Sequence, residues 1–217
     1  MVNTEQSPLS QSLIYLASAS PRRHELLKQI GVAHEVLHVP APPGEDEPRL
    51  ANESPLEYVE RTALEKALRA QAWLEQTTQL KSVTSNPCAI LTADTTVCID
   101  NRVLGKPKDQ EEAEMILREL SGKTHTVFTA LVLSQLDVDG KNKWRQSRAL
   151  SETRVTFREM TRSEIHAYIA TGEPFGKAGA YGIQGYAAKY ISNIVGSYSG
   201  VMGLPLFETS EILKELG

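Results

Sequence analysis

A short apolar run, Leu13 to Ala17, breaks into Ser18-Ala19-Ser20-Pro21-Arg22-Arg23, and an apolar stripe of Leu26, Leu27 and Ile30 follows before Gly31. The run reads as a buried strand and the stripe as one face of a helix. Ser20 suits the N-cap, and Pro21 suits the first helical position, where a missing N–H costs nothing. Gly31 suits the helix end. Two arginines in a first turn oppose the helix macrodipole, which disfavours cations there. An anion reverses that balance, because free amide donors and guanidinium groups both favour it. Ser18 and Ser20 add hydroxyl donors. A solvated surface would also tolerate the arginines, but an anion site accounts for the serines, the proline and the arginines together.

Further along, Val36 to Val39 reads as a second strand and Pro40 to Glu53 as a Pro-rich acidic loop. Ser54-Pro55-Leu56-Glu57 is a capping box opening a long helix with Leu56, Val59, Ala63, Ala67, Ala70 and Leu74 on one side. Thr77 to Pro87 is a polar connection. Ala89 to Ala93 reads as a buried strand ended by Asp94, and Asp100-Asn101 as a hairpin turn between Val97–Ile99 and Val103-Leu104. A helix begins at Asp109 to Glu112. Two long β-rich segments, Thr124 to Gln135 and Lys143 to Phe157, flank a turn at Asp137 to Lys141. Thr161-Arg162-Ser163-Glu164 caps another helix. Glycine is dense from Gly172 to Gly203, which predicts loops approaching something closely. A last helix starts near Pro205. Strands alternating with helices, plus a hairpin region, predict an α/β fold with a mixed twisted sheet and flanking helices, in two lobes around a cleft.

The chain has 217 residues, enough for a sizeable core, and the reading places a disordered tail over 1–12 and one domain over 13–217. A net charge of −4 argues against bulk attraction to nucleic acid or an acidic membrane, so an anionic substrate needs a local basic pocket. Two cysteines, Cys88 and Cys98, suggest a reducing compartment. The polar start lacks a signal-peptide pattern, and no apolar run approaches the ~18 residues of a membrane span. A cytoplasmic, soluble protein is expected.

Several side chains could carry chemistry. Asp94 closes an apolar strand, where ligands of open α/β sheets sit, although aspartate is also common where strands turn. Lys106, between Gly105 and Pro107, could aim into a cleft. Lys66 lies beside the apolar stripe of the long helix, and either lysine could equally be solvated. Glu45, Asp46 and Glu47 could ligate Mg²⁺ or form a solvated acidic loop. His24, His34, His38, His125 and His166 show no metal-ligand spacing. Gln184, in a glycine-rich segment, could accept from N3–H and donate to O4 of thymine or uracil, or simply fill a turn.

The run Leu16 to Arg23 (LASASPRR) resembles the signature of the Maf family. That similarity continues through Ala93-Asp94-Thr95-Thr96-Val97, Leu104-Gly105-Lys106-Pro107, Leu120 to His125, Lys177 to Gly185 and Gly203-Leu204-Pro205. The resemblance implies a nucleoside triphosphate pyrophosphatase of a fold related to inosine triphosphatases, using a divalent cation, Mg²⁺ or Mn²⁺. It implies Asp94 as proton acceptor, with Asp94 and Glu47 as candidate metal ligands, the acidic pair being best matched by Asp46-Glu47. Ser18, Arg23, Lys66 and Lys106 match triphosphate-binding positions. Arg22, Thr95 and Gln184 match those of the dTTP/UTP-selective branch, whose modified pyrimidine triphosphates would share the same base edge. The 7-methyl-GTP branch tends to carry Glu at the Gln184 position. Activity on modified purine triphosphates, or a role as a nucleotide-binding regulator of cell division, remains open on sequence. A homodimer is implied by the resemblance alone.

Overall fold

The computed structural model describes residues 13–42, 47–77, 89–137 and 143–216. The expected tail, Glu45, Asp46, Cys88, nearly all of the polar connection and the core of the turn after Asp137 lie outside the described residues. The strands are β1 (Ile14–Leu16), β2 (His34–Val36), β3 (Ala89–Ile99), β4 (Arg102–Leu104), β5 (Thr124–Leu136), β6 (Trp144–Phe157) and β7 (Ile191–Val195). The helices are α1 (Pro21–Gln29), α2 (Pro55–Gln76), α3 (Gln110–Leu120), α4 (Arg162–Ile169), α5 (Tyr198–Met202) and α6 (Leu206–Leu213).

One seven-stranded mixed sheet runs β2-β1-β3-β5-β6-β7, with β4 also on β3. β1 is parallel to β2 and β3, and the remaining pairs are antiparallel. Alternation along β3 sorts the core. Ile90 joins a cluster with Ala70 and Leu74 of α2. Leu91 and Ala93 turn the other way, against Leu26 and Leu27 of α1 and Ile212 and Leu213 of α6. Val97 and Ile99 continue on that second face against α3 and α4.

Three expectations need correction. The second strand lies at His34–Val36, earlier than the apolar Val36–Val39 run, because parallel pairing with β1 sets its register. β3 does not end at Asp94. The β-branched run after it continues the ladder, and β5 pairs with it as far as Cys98. The glycine-dense segment holds a strand and a helix, β7 and α5, as well as loops.

The extension of β3 creates the site. β1 pairs with one edge of β3 only as far as Leu91, where Ala17 N–H reaches the Leu91 carbonyl. β4 takes up that same edge from Val97. Between them the edge has no strand partner, and Asp94 and Thr95 sit in this interval. The backbone leaves β1 here and forms the Ser18–Arg23 loop.

Candidate active site

α1 starts with an open end. Ser20 is its N-cap and Pro21 its first residue, but the Ser20 side chain makes no capping bond and the first turn holds no acidic residue. The starts of α2, α3 and α4 are each capped by a side-chain oxygen and carry glutamate in the first turn. The first amides of α1 therefore have no side-chain cap and no neighbouring carboxylate in the first turn.

Those amides face a cleft of 720 Å³ lined by Ser18, Arg22, Arg23, Lys66, Asp94, Thr95 and Lys106. Arg69 and Lys177 line it too, so three arginines and three lysines face it alongside Asp94. Arg22 and Lys106 make no hydrogen bond or ion pair with a described residue. Lys177 Nζ donates a hydrogen bond to the Glu173 carbonyl, and burial, with Arg22 nearby, lowers its pKa. The Gly179 N–H bonds the Gly105 carbonyl at 3.1 Å, which docks the Lys177 segment against the Lys106 loop. Gly179 has φ of 68°, and a Cβ there would lie 2.8 Å from Val97 Cγ1, so the close approach requires glycine.

Asp94 is 6% exposed and points to the α2 face. Its Oδ2 lies 2.8 Å from Thr62 Oγ1, and its Oδ1 accepts from Lys66 Nζ at 2.5 Å. Thr62 and Lys66 are one helical turn apart, so α2 presents both to one carboxylate. Lys66 Nζ also pairs with Glu47 Oε1 at 2.5 Å. Tyr58 Oη donates to the Glu47 carbonyl at 3.0 Å, fastening this stretch of the acidic loop to α2. Burial alone would raise the Asp94 pKa. The Lys66 charge and hydrogen bond, with Arg23 and Thr62, outweigh it and hold the pKa below the usual carboxylate value.

Two carboxylates sharing one ammonium form a place built for positive charge. Their hard oxygen donors suit Mg²⁺ or Mn²⁺, so the residues present fit a divalent cation. Among the described residues, no group of three His, Cys, Asp or Glu side chains forms a ready-made metal site.

Arg23 is tied to its surroundings. Its Nε donates to the Gly203 carbonyl at 2.7 Å, one terminal nitrogen to Ser18 Oγ at 3.2 Å, and the other to Thr95 Oγ1 at 3.2 Å. Burial lowers its pKa, Asp94 and Glu47 oppose that, and an arginine stays charged regardless. Ser18 Oγ also accepts from Ser20 N–H at 3.2 Å. With both acceptor sites used, its hydroxyl proton remains for a ligand.

Of the residues singled out from sequence, eight of nine converge: seven line the cleft and Glu47 pairs with Lys66 behind it. Gln184 is exposed and does not line the cleft, and its amide has no described partner. Its turn is held by Glu173, whose carboxylate accepts from Tyr186 N–H at 2.8 Å and Tyr168 Oη at 2.8 Å. Sequence reading missed Thr62, Arg69, Lys177 and Tyr181. Thr62 had a signal, its i−4 spacing from Lys66. Tyr181 had none.

Tyr181 lines the cleft and its hydroxyl meets buried His125 Nε2 at 2.8 Å. Burial pushes the His125 pKa down to about 4. The unfolded chain, with a pKa near 6.5, takes up a proton that the native state refuses. The histidine's contribution is thus complete above about pH 6.5 and fades as pH falls toward 4, by about 3 kcal/mol. His125→Gln should flatten urea-unfolding stability against pH in that window. An unchanged slope would show that His125 is not the titrating group.

The sheet and cleft define a mixed α/β protein with a cation-lined cleft where β1 leaves the longer β3. The chain belongs to the Maf-like protein family, whose model matches residues 13–216. A Bordetella avium protein named dTTP/UTP pyrophosphatase is 53% identical over 204 residues, covering 94% of this chain and 95% of that one. Proteins of the same name from Cupriavidus metallidurans and Nitrosomonas europaea are 48% and 49% identical, over 95% and 94% of this chain and 98% and 94% of theirs. Among solved structures, a nucleoside-triphosphatase / dITP/XTP pyrophosphatase from Mycobacterium abscessus aligns over 94% of both chains, with 14% identity and a TM-score of 0.41. No described helix is long and apolar enough to cross a membrane.

Proposed function

We propose that this protein hydrolyses dTTP and UTP to the monophosphate and diphosphate, in the cytoplasm, with a divalent cation as cofactor. The observation that carries the reading is the ionised, buried Asp94 set beside a cation-lined cleft and an uncapped helix start. The relatives named for this activity, at about half identity over nearly full length, support it.

In this reading the triphosphate lies against the α1 amides, the Ser18 hydroxyl and the free N–H groups of Arg23. Arg22, Lys106, Lys177 and Arg69 neutralise its remaining charge. Water attacks the α-phosphorus, the bond to the bridging oxygen breaks, diphosphate departs with the electron pair of that bond, and the proton lost by the water passes to the departing diphosphate or to solvent. Asp94 orients that water. A depressed pKa makes it a weak base, so orientation and cation binding suit it better than proton storage. Asp94 and Glu47 would hold a divalent cation, which supplies charge neutralisation and a more acidic water when bound. Lys66 then serves the phosphates or remains as a second counter-charge.

Gln184 reads the base in this proposal. Its exposed amide, which has no described partner, is free to meet the N3–H and O4 edge of a thymine or uracil. Modified pyrimidines with that edge, such as 5-methyl-UTP, would also fit. Diphosphate release should be measured for each common triphosphate and 7-methyl-GTP, with Mg²⁺ or Mn²⁺. UTP and dTTP should lead, and Gln184→Glu should lower their kcat/KM by at least about tenfold relative to other bases. Good turnover of 7-methyl-GTP without turnover of UTP or dTTP would refute the base assignment. An equal loss on every base would make Gln184 a structural residue.

A further inference from the structure

We propose that Thr129 is a positioning residue for the phosphate grip, acting through a one-way hydrogen-bond relay from Arg23 through Thr95 and Thr129 to the Gly200 carbonyl. The proposal rests on Arg23 binding the triphosphate.

Proton accounting sets the direction. A carbonyl only accepts, so the 2.8 Å bond between Thr129 Oγ1 and the Gly200 oxygen uses the single Thr129 proton. Thr95 Oγ1 lies 3.0 Å from Thr129 Oγ1, so Thr95 must be the donor there. Its own proton is then spent, and its oxygen accepts from Arg23 at 3.2 Å. Every donor points the same way, an arrangement in which each bond polarises the next.

Two consequences follow. Thr95 has no proton to offer a substrate, so its effect on the reaction passes through the angle at which it holds Arg23. Thr129, 1% exposed and out of reach of ligand, sets Thr95. The relay also closes a ring, because Arg23 Nε bonds the Gly203 carbonyl one turn beyond Gly200. The two ends therefore grip α5 and its C-cap, and Val201 and Met202 between them line the cleft. β-strand register makes this possible: Thr95 and Thr129 are directly paired across β3 and β5 and share a face.

Thr129→Val keeps the shape and removes the hydroxyl, leaving the Thr95 proton unpaired, while the Gly200 carbonyl keeps only its bond from Gly203 N–H. KM for dTTP and UTP should rise by on the order of tenfold while kcat changes by less than about twofold. Thr129→Ser should restore KM to near the starting value. A KM in Thr129→Val within about twofold of wild type, a loss confined to kcat, or an equal loss in Thr129→Ser would overturn the relay, whatever happens to thermal stability. Arg23→Met in the same assay separates the two ideas. If it too leaves KM unchanged, Arg23 does not grip the triphosphate and the underlying reading of the site fails. If it raises KM while Thr129→Val does not, only the relay is rejected.

Discussion

Asp94→Asn is expected to lower kcat for dTTP and UTP by on the order of a thousandfold while the protein stays folded. The fold should survive because the surroundings can re-pair. Asn Oδ1 still accepts from Lys66, the new Nδ2 can donate to Thr62 Oγ1, and Lys66 keeps its ion pair with Glu47. What is lost is the charge. A neutral amide neither holds a divalent cation nor orients a water as strongly as a carboxylate. Diphosphate release at saturating substrate, beside a thermal melt, checks both halves. A kcat within about tenfold of wild type would remove Asp94 from the chemistry.

Arg23→Met should raise KM by on the order of a hundredfold and destabilise the protein by about 3 kcal/mol. The two effects have one origin. Arg23 is the knot that joins α1 to the β1 loop at Ser18, to β3 at Thr95 and to α5 at Gly203. Methionine fills the space but leaves the Gly203 carbonyl without that donor, and brings Asp94 and Glu47 one positive charge fewer. Arg22, which bonds no described residue, should behave differently: Arg22→Met should raise KM with a stability change below about 0.5 kcal/mol. Urea unfolding of both variants tests the contrast, and equal destabilisation would mean that the two arginines are not divided between scaffold and ligand.

Much of the site was legible because its residues are close in sequence or lie in short motifs. The strand–loop–helix of Ser18 to Arg23 announces its turn, its helix start and its charge within a few positions. The capping boxes at Ser54 and Thr161 were readable for the same reason, and both form as expected. Asp94 was identified, but for a partly mistaken reason. It does not end a strand; it lies on a stretch of β3 whose other edge is left open between β1 and β4. That gap depends on two pairings far apart in sequence, and no local pattern carries it. Gln184 shows the opposite limit. Its side-chain chemistry is plain in the sequence, yet its exposed place outside the cleft lining, on a turn held by Glu173, is not.

The alternating α/β order, the cations at a helix start and the short motifs that hold the cleft's charged groups are legible in the chain alone. These follow from periodicity, capping and charge, all short-range properties of a chain. What each group is free to do depends on the closed fold. It made Lys66 a bridge between Asp94 and Glu47, spent the Thr95 proton on Thr129 and committed Arg23 to Gly203. A side chain's free donors and acceptors are those left over after folding. The partners that consume the rest come from strands and helices tens of residues away, so that remainder is visible only once the chain has closed on itself.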